Sequence, residues 1–178
     1  TWLEDDPDHC APSRLDTAGL SMPGGGFLLA ATGAELAGCI EPTHVYVDFA
    51  TASGQRTPIV VLGTPAPPRR VILLPRPNGA WLVITTEVSA EALSLAEDGT
   101  VGPRFDLGLS SLERTAELTA SPSGNDLITA AVEEAESPLI RLRRFDATGD
   151  LRADHAVTPE ALDPSSPLAL LGGPDGDQ

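Results

Sequence analysis

The sequence contains no lysine: its 11 basic residues are all arginine, set against 26 acids, for a formal net charge of −15. A surface that negative repels phosphate backbones and argues against nucleic acid as a partner. No apolar run approaches the ~18 residues that a membrane-spanning helix needs. The longest candidates, "TPIVVLG" and "WLVI", are strand-sized, so no membrane span is expected. Recognisable catalytic motifs are missing as well. There is no G-x-S-x-G elbow, no H-E-x-x-H helix, no P-loop and no G-x-G-x-x-G after a strand. The three histidines, His9, His44 and His155, are scattered, and His155 falls in a predicted outer strand where exposure is ordinary. "DDPDHC" at 5–10, "DATGD" and "PDGDQ" lack the D-x-D-x-D-G spacing of a calcium loop. They read as turns, which favour Asp beside Gly.

What the sequence has is punctuation. Glycine and proline, 17 of each, fall between short apolar runs in a chain of 178 residues that is 41% hydrophobic. That pattern describes many short strands joined by turns, with enough apolar mass for a packed core. The expected fold class is all-β.

The strands also repeat. "LDTAGLSMPGGGFLLAAT", "RVILLPRPNGAWLVITT" and "TAELTASPSGNDLITAAV" each read as a strand, a Pro-x-Gly turn and a second strand, anchored at Pro23, Pro77 and Pro122. A second hairpin follows in every unit: "VYVDFATASGQRTPIVVL", "ALSLAEDGTVGPRFDL" and "LIRLRRFDATGDLRADHAV", turning at Gly54, Gly99 and Gly149. Both landmarks keep a period of about 45 to 55 residues, close to that of four-stranded repeat units. On this alignment Trp81 shares a position with Phe27 and with Asp126 or Leu127, a packing position. "EVSAEALSLAED" would suit a helix by propensity, but the repeat makes it a strand.

A unit of four short antiparallel strands with these turns resembles the S-P-D-G type of bacterial β-propeller repeat. The resemblance implies a β-propeller of four-stranded blades: lead-in 1–13, blade 1 at 14–63, blade 2 at 64–108, blade 3 at 109–158, and 159–178 as linker and start of blade 4. Its motifs specify architecture and not activity. "PLALLGGPDGDQ" aligns with the first strand and turn of a further blade, so 167–171 is expected to pair with a strand outside 14–157. Closure of a ring typically needs at least four blades. The expected partners are therefore the remaining blades of the same polypeptide or of another subunit.

Antiparallel order puts the B–C loops and D-to-A linkers of every blade at one end. Cys10 and Cys39 both fall there, which makes a disulfide geometrically reasonable, and closing a loop of about 30 residues would contribute ~3.5 kcal/mol. Two unrelated buried thiols are the alternative. With the start at Thr1 read as a processed one, the cysteines suggest an extracytoplasmic location. The same end gathers acids, chiefly Glu35, Glu41, Glu87, Glu91, Glu133, Glu134 and Glu136, against Arg69 and Arg70. This candidate binding face could meet a basic protein partner or a calcium ion; a solvated rim is the alternative. No catalytic residue, cofactor or metal ligand is assigned. The expected function is a non-catalytic binding or scaffolding propeller. The rival is the propeller part of a hydrolase or dehydrogenase whose catalytic groups lie outside this chain.

Overall fold

The computed structural model describes residues 16–22, 24–33, 44–55, 60–109, 119–133 and 139–158. These residues are all-β, with no helix among them. Strands β1 (Thr17–Ser21), β2 (Phe27–Gly33), β3 (His44–Ala50) and β4 (Val60–Gly63) form one antiparallel sheet in sequence order. Strands β5 (Arg70–Arg76), β6 (Gly79–Thr85), β7 (Ala90–Ala96) and β8 (Val101–Asp106) form a second. Strands β9 (Thr119–Ser123), β10 (Asp126–Glu133), β11 (Leu139–Phe145) and β12 (Leu151–Val157) form a third. The innermost strands β1, β5 and β9 lie side by side in that order, and the sheets stack as propeller blades do.

The repeat is visible in hydrogen bonds. In the turn between the third and fourth strands, Gly54 N donates to Thr51 O at 2.8 Å, Gly99 N to Ala96 O at 3.1 Å and Gly149 N to Asp146 O at 3.0 Å. This one turn fixes the alignment of the blades. The residues just before it, Ala50, Leu95 and Phe145, pair with Phe27, Ala80 and Leu127. Those three positions are therefore equivalent, and Trp81 corresponds to Leu28 and Ile128. The expected match of Trp81 to Phe27, and to Leu127 in blade 3, is off by one residue, which in a strand means the opposite face, and the match to Asp126 is off by two.

The prolines explain the slip. The first two strands of blade 2 are joined by the two-residue turn Pro77-Asn78, and those of blade 3 by Gly124-Asn125, whereas blade 1 has a longer loop closed by Met22 N to Gly26 O at 2.8 Å. Pro122 is not in a turn at all. It lies in β9 opposite Leu127, where blade 2 has Pro75 opposite Ala80. The hairpins recur as read, but their anchoring prolines are not equivalent.

Two apolar layers hold the stack together. Between blades 1 and 2 lie Leu28, Ala30, Val45 and Val47 from one side and Leu82, Ile84, Leu93 and Leu95 from the other. Between blades 2 and 3 lie Trp81, Val83, Ala90 and Ala92 against Leu127, Ala131 and Phe145. Blade 2 is thus covered on both faces, and every residue of β6 is buried. That is why "AWLVI" reads as a continuous apolar run, while β3 of blade 1 alternates. The helix-prone segment is β7: Ala90 and Ala92 face blade 3 while Leu93 and Leu95 face blade 1, a period of two that overrides Ala and Glu propensity.

Candidate functional site

The loop end carries three of the seven acids of the candidate face among the described residues: Glu87, Glu91 and Glu133. Glu35, Glu41, Glu134 and Glu136 lie outside the described residues, as do Cys10, Cys39 and the segment 167–171.

Glu87 projects from the tight turn between β6 and β7. Thr86 builds that turn: its hydroxyl accepts from Ser89 N at 3.1 Å and lies 2.8 Å from Ser89 Oγ, and its own N donates to Ser89 O at 2.8 Å. Glu87 and Val88 are held outward as a result, Val88 at 77% exposure. Arg69 Nη2 approaches Glu87 Oε1 at 3.3 Å, with Arg69 N fixed to Thr85 O at 2.7 Å. The two side chains are 49% and 77% exposed, so water screens this pair and holds it weakly.

Glu91 differs. It lies on β7 facing blade 1, half-buried, with Arg104 Nη1 at 3.3 Å from Oε1. Burial pushes its carboxyl above the ordinary range, with Arg104 pulling it back and Asp106 adding to the rise. The pair is close but not aligned as a hydrogen bond, since Oε1 has no such partner. The guanidinium instead donates to Gly63 O of blade 1 at 2.8 Å.

Glu133 closes β10 and accepts on Oε2 from both Nε and Nη2 of Arg141, at 3.2 and 3.0 Å. Arg141 reaches Asp154 at 3.3 Å, and Arg143, buried, lies 3.7 Å from the same carboxylate. The Glu133 hydrogen bond holds the Arg141 guanidinium above its ordinary range. Strand pairing brings these groups together on the face toward blade 2: Ala131 pairs with Arg141, and Arg143 with Asp154.

Every described acid of the candidate face therefore has an arginine against it. The sequence reading counted Arg69 and Arg70 at this end and missed Arg104 and Arg141. The signal was present in "LIRLRRF", where Arg141 and Arg143 stand two apart and so share a strand face.

At the opposite end, Met22, Gly26, Phe49 and Glu97 line a cleft of about 130 Å³, below the ~300 Å³ at which small-molecule pockets begin. Also at this end, Asp146 accepts from Thr148 N at 2.8 Å, Thr148 Oγ1 at 2.7 Å and Asp150 N at 3.0 Å, and pairs with Arg152. These bonds, the Thr148 hydroxyl first, hold its carboxyl well below the ordinary range. They make Asp146 a turn-former. Among the described residues no three of His, Cys, Asp and Glu gather as a metal site, and no helix is long and apolar enough to cross a membrane. Compared with known proteins, the chain matches no family model, no curated protein and no solved structure.

Proposed function

We propose that the chain is part of an extracytoplasmic propeller of the bacterial S-P-D-G type, which binds or scaffolds a basic protein partner through its loop end. The observation that carries this reading is the Glu87–Arg69 pair. Both groups stand exposed, Glu87 on a turn whose backbone is fixed by Thr86 and Arg69 just before β5 with its N held to Thr85 O, beside strand β6, which is buried on both faces. A weak surface pair of this kind can be exchanged for a cationic side chain of a partner at little cost in ordering, because the turn is already set. Glu91 and Glu133 serve the frame instead, each committed to an arginine between blades. The extracytoplasmic reading rests on the pair Cys10 and Cys39.

Titration calorimetry with a poly-arginine peptide at low and high salt tests the binding role. The expected result is salt-sensitive binding that weakens severalfold in Glu87→Gln, with no heat from calcium alone. Undiminished binding by the variant would remove the loop end from the function. Alkylation before and after reduction tests the location: both cysteines should react only after reduction.

A further inference from the structure

Of the described arginines, Arg69, Arg104, Arg141, Arg143, Arg144 and Arg152 each lie against a carboxylate. Arg76 does not. It ends β5 just before the Pro77-Asn78 turn, partly buried, and its guanidinium carbon stands 4.7 Å from the centroid of the Trp81 ring. Its Nε is buried and has no hydrogen-bond partner in the protein. An arginine keeps its charge at any ordinary pH. A chain with 26 acids and 11 basic residues thus holds a cation against an aromatic ring here and brings no described acid to it.

Trp81 adds a second donor. Its side chain is fully buried, yet Nε1 has no partner either, although a buried indole N–H ordinarily finds an acceptor. A buried donor left unmatched is costly. Two of them lie next to each other at the turn end, on the side of blade 2 that faces blade 3.

The fold does not call for this pair. Ser21, Pro75 and Pro122 are equivalent, standing opposite Phe27, Ala80 and Leu127, so Arg76 corresponds to Met22 and Ser123. Met22 and Leu28 occupy the positions of Arg76 and Trp81 between blades 1 and 2, and both are buried members of the apolar layer with no N–H to satisfy. Blade 2 puts a cation and an aromatic platform where packing needs only aliphatic groups.

We propose that Arg76 and Trp81 form a carboxylate-binding site at the turn end between blades 2 and 3. The ring holds the guanidinium, whose planar fork matches the two oxygens of a carboxylate, and the indole N–H is a further donor beside it. A singly charged carboxylate suits these surroundings better than a phosphate, which carries about −1.5 to −2 and is repelled more strongly by a net charge of −15. The group comes from a small organic acid or from an acidic residue of a polypeptide. The site lies at the end opposite Glu87 and stands independently of the loop-end reading.

Heteronuclear NMR on the full chain follows the Trp81 Nε1–H and Arg76 Nε–H signals, and Trp2→Phe identifies the former, since the chain has two tryptophans. At constant ionic strength, acetate and a blocked tripeptide whose one charge is a glutamate side chain should each shift both signals saturably. Inorganic phosphate should bind severalfold more weakly and chloride should have no effect. Tighter binding of acetate assigns the site to free organic acids and tighter binding of the peptide to a polypeptide partner; either supports the site. Arg76→Lys, a charge without the fork, should weaken acetate severalfold. Arg76→Met, which copies Met22, should abolish the Trp81 shift with its β signal intact, and Arg76→Gln replaces it if that signal is lost. Wild-type signals that neither carboxylate moves, as a water shared by the two donors would give, would overturn the proposal. So would an undiminished response in the uncharged variant, or phosphate bound as tightly as acetate.

Discussion

Arg104 joins the outermost strands of two blades: its Nη1 lies 2.8 Å from the carbonyl oxygen of Gly63 on β4 and 3.3 Å from Glu91 Oε1 on β7. The innermost edge has its own tie, where Asp16 Oδ2 accepts from Val71 N at 2.7 Å. Blades 1 and 2 are thus fastened at both margins of an apolar layer that by itself sets no register. A directional bond at each margin supplies the register that burial cannot.

Arg104→Ala removes the outer tie and leaves a half-buried carboxylate without its cation. The expected loss is about 1 to 3 kcal/mol in urea denaturation. Arg104→Ala combined with Glu91→Gln should be less destabilised than Arg104→Ala alone, since no uncompensated charge remains. Strict additivity of the two substitutions would show that the pair is uncoupled.

The layering was legible where sequence pattern and burial share a period. Strand β6, buried on both faces, announced itself as "AWLVI", and the glycine turns at Gly54, Gly99 and Gly149 marked the same hydrogen-bonded turn three times. What escaped was a matter of single residues. Two-residue and five-residue turns both tolerate Gly and Pro, so Pro23, Pro77 and Pro122 looked equivalent and shifted Trp81 to the wrong face. The arginines of the loop end escaped for another reason. Arg104, Arg141 and Arg143 sit within strands, and only cross-strand register places them beside Glu91, Glu133 and Asp154.

Trp81 is the largest fully buried side chain, edge-on to Phe105 at 5.8 Å, with the Arg76 guanidinium 4.7 Å from the ring centroid. Trp81→Ala should cost about 3 to 5 kcal/mol through the cavity left between blades 2 and 3. Phe27→Ala, at the half-exposed face of blade 1, should cost less, about 1 to 2 kcal/mol, since only about half of that side chain is removed from water. Equal losses in the two variants would contradict the assignment of blade 2 as the covered, central blade.

Gly79 follows the two-residue turn of blade 2 with φ +143°, and a Cβ there would fall 1.9 Å from the carbonyl oxygen of Leu95. The obstacle is backbone of the neighbouring strand, which cannot rotate away. Gly54 has φ +79° and nothing within 4 Å of an added Cβ. Gly54→Ala should therefore cost only the left-handed backbone term, ~1 to 2 kcal/mol, and Gly79→Ala more, by opening the β6–β7 pairing. Thermal denaturation of the two variants side by side reads the difference; a milder effect at Gly79 would mean that the close approach of β6 to β7 is wrong.

Glu91 should give the protein a pH dependence opposite in sign to that of the hydrogen-bonded turn acids Asp146 and Asp98. Its carboxyl is raised above the ordinary 4.5, chiefly by burial, so the folded state holds the proton more tightly than the unfolded chain does. The stability this confers is fully present below the ordinary value and is lost as pH rises through the raised one. Asp146 and Asp98, both held below the ordinary 3.8 by hydrogen bonds from the Thr148 and Thr100 segments, act the other way and lose their contribution only as pH falls below that value. Between about pH 4.5 and neutrality the Glu91 effect therefore stands clear of theirs. Glutamine mimics the protonated carboxyl and does not titrate. The melting temperature of the wild type minus that of Glu91→Gln should accordingly be most favourable to the wild type near pH 4 and decline toward pH 7. A difference that stays flat across this window, or that grows with pH, would mean that pairing with Arg104 outweighs burial at this site.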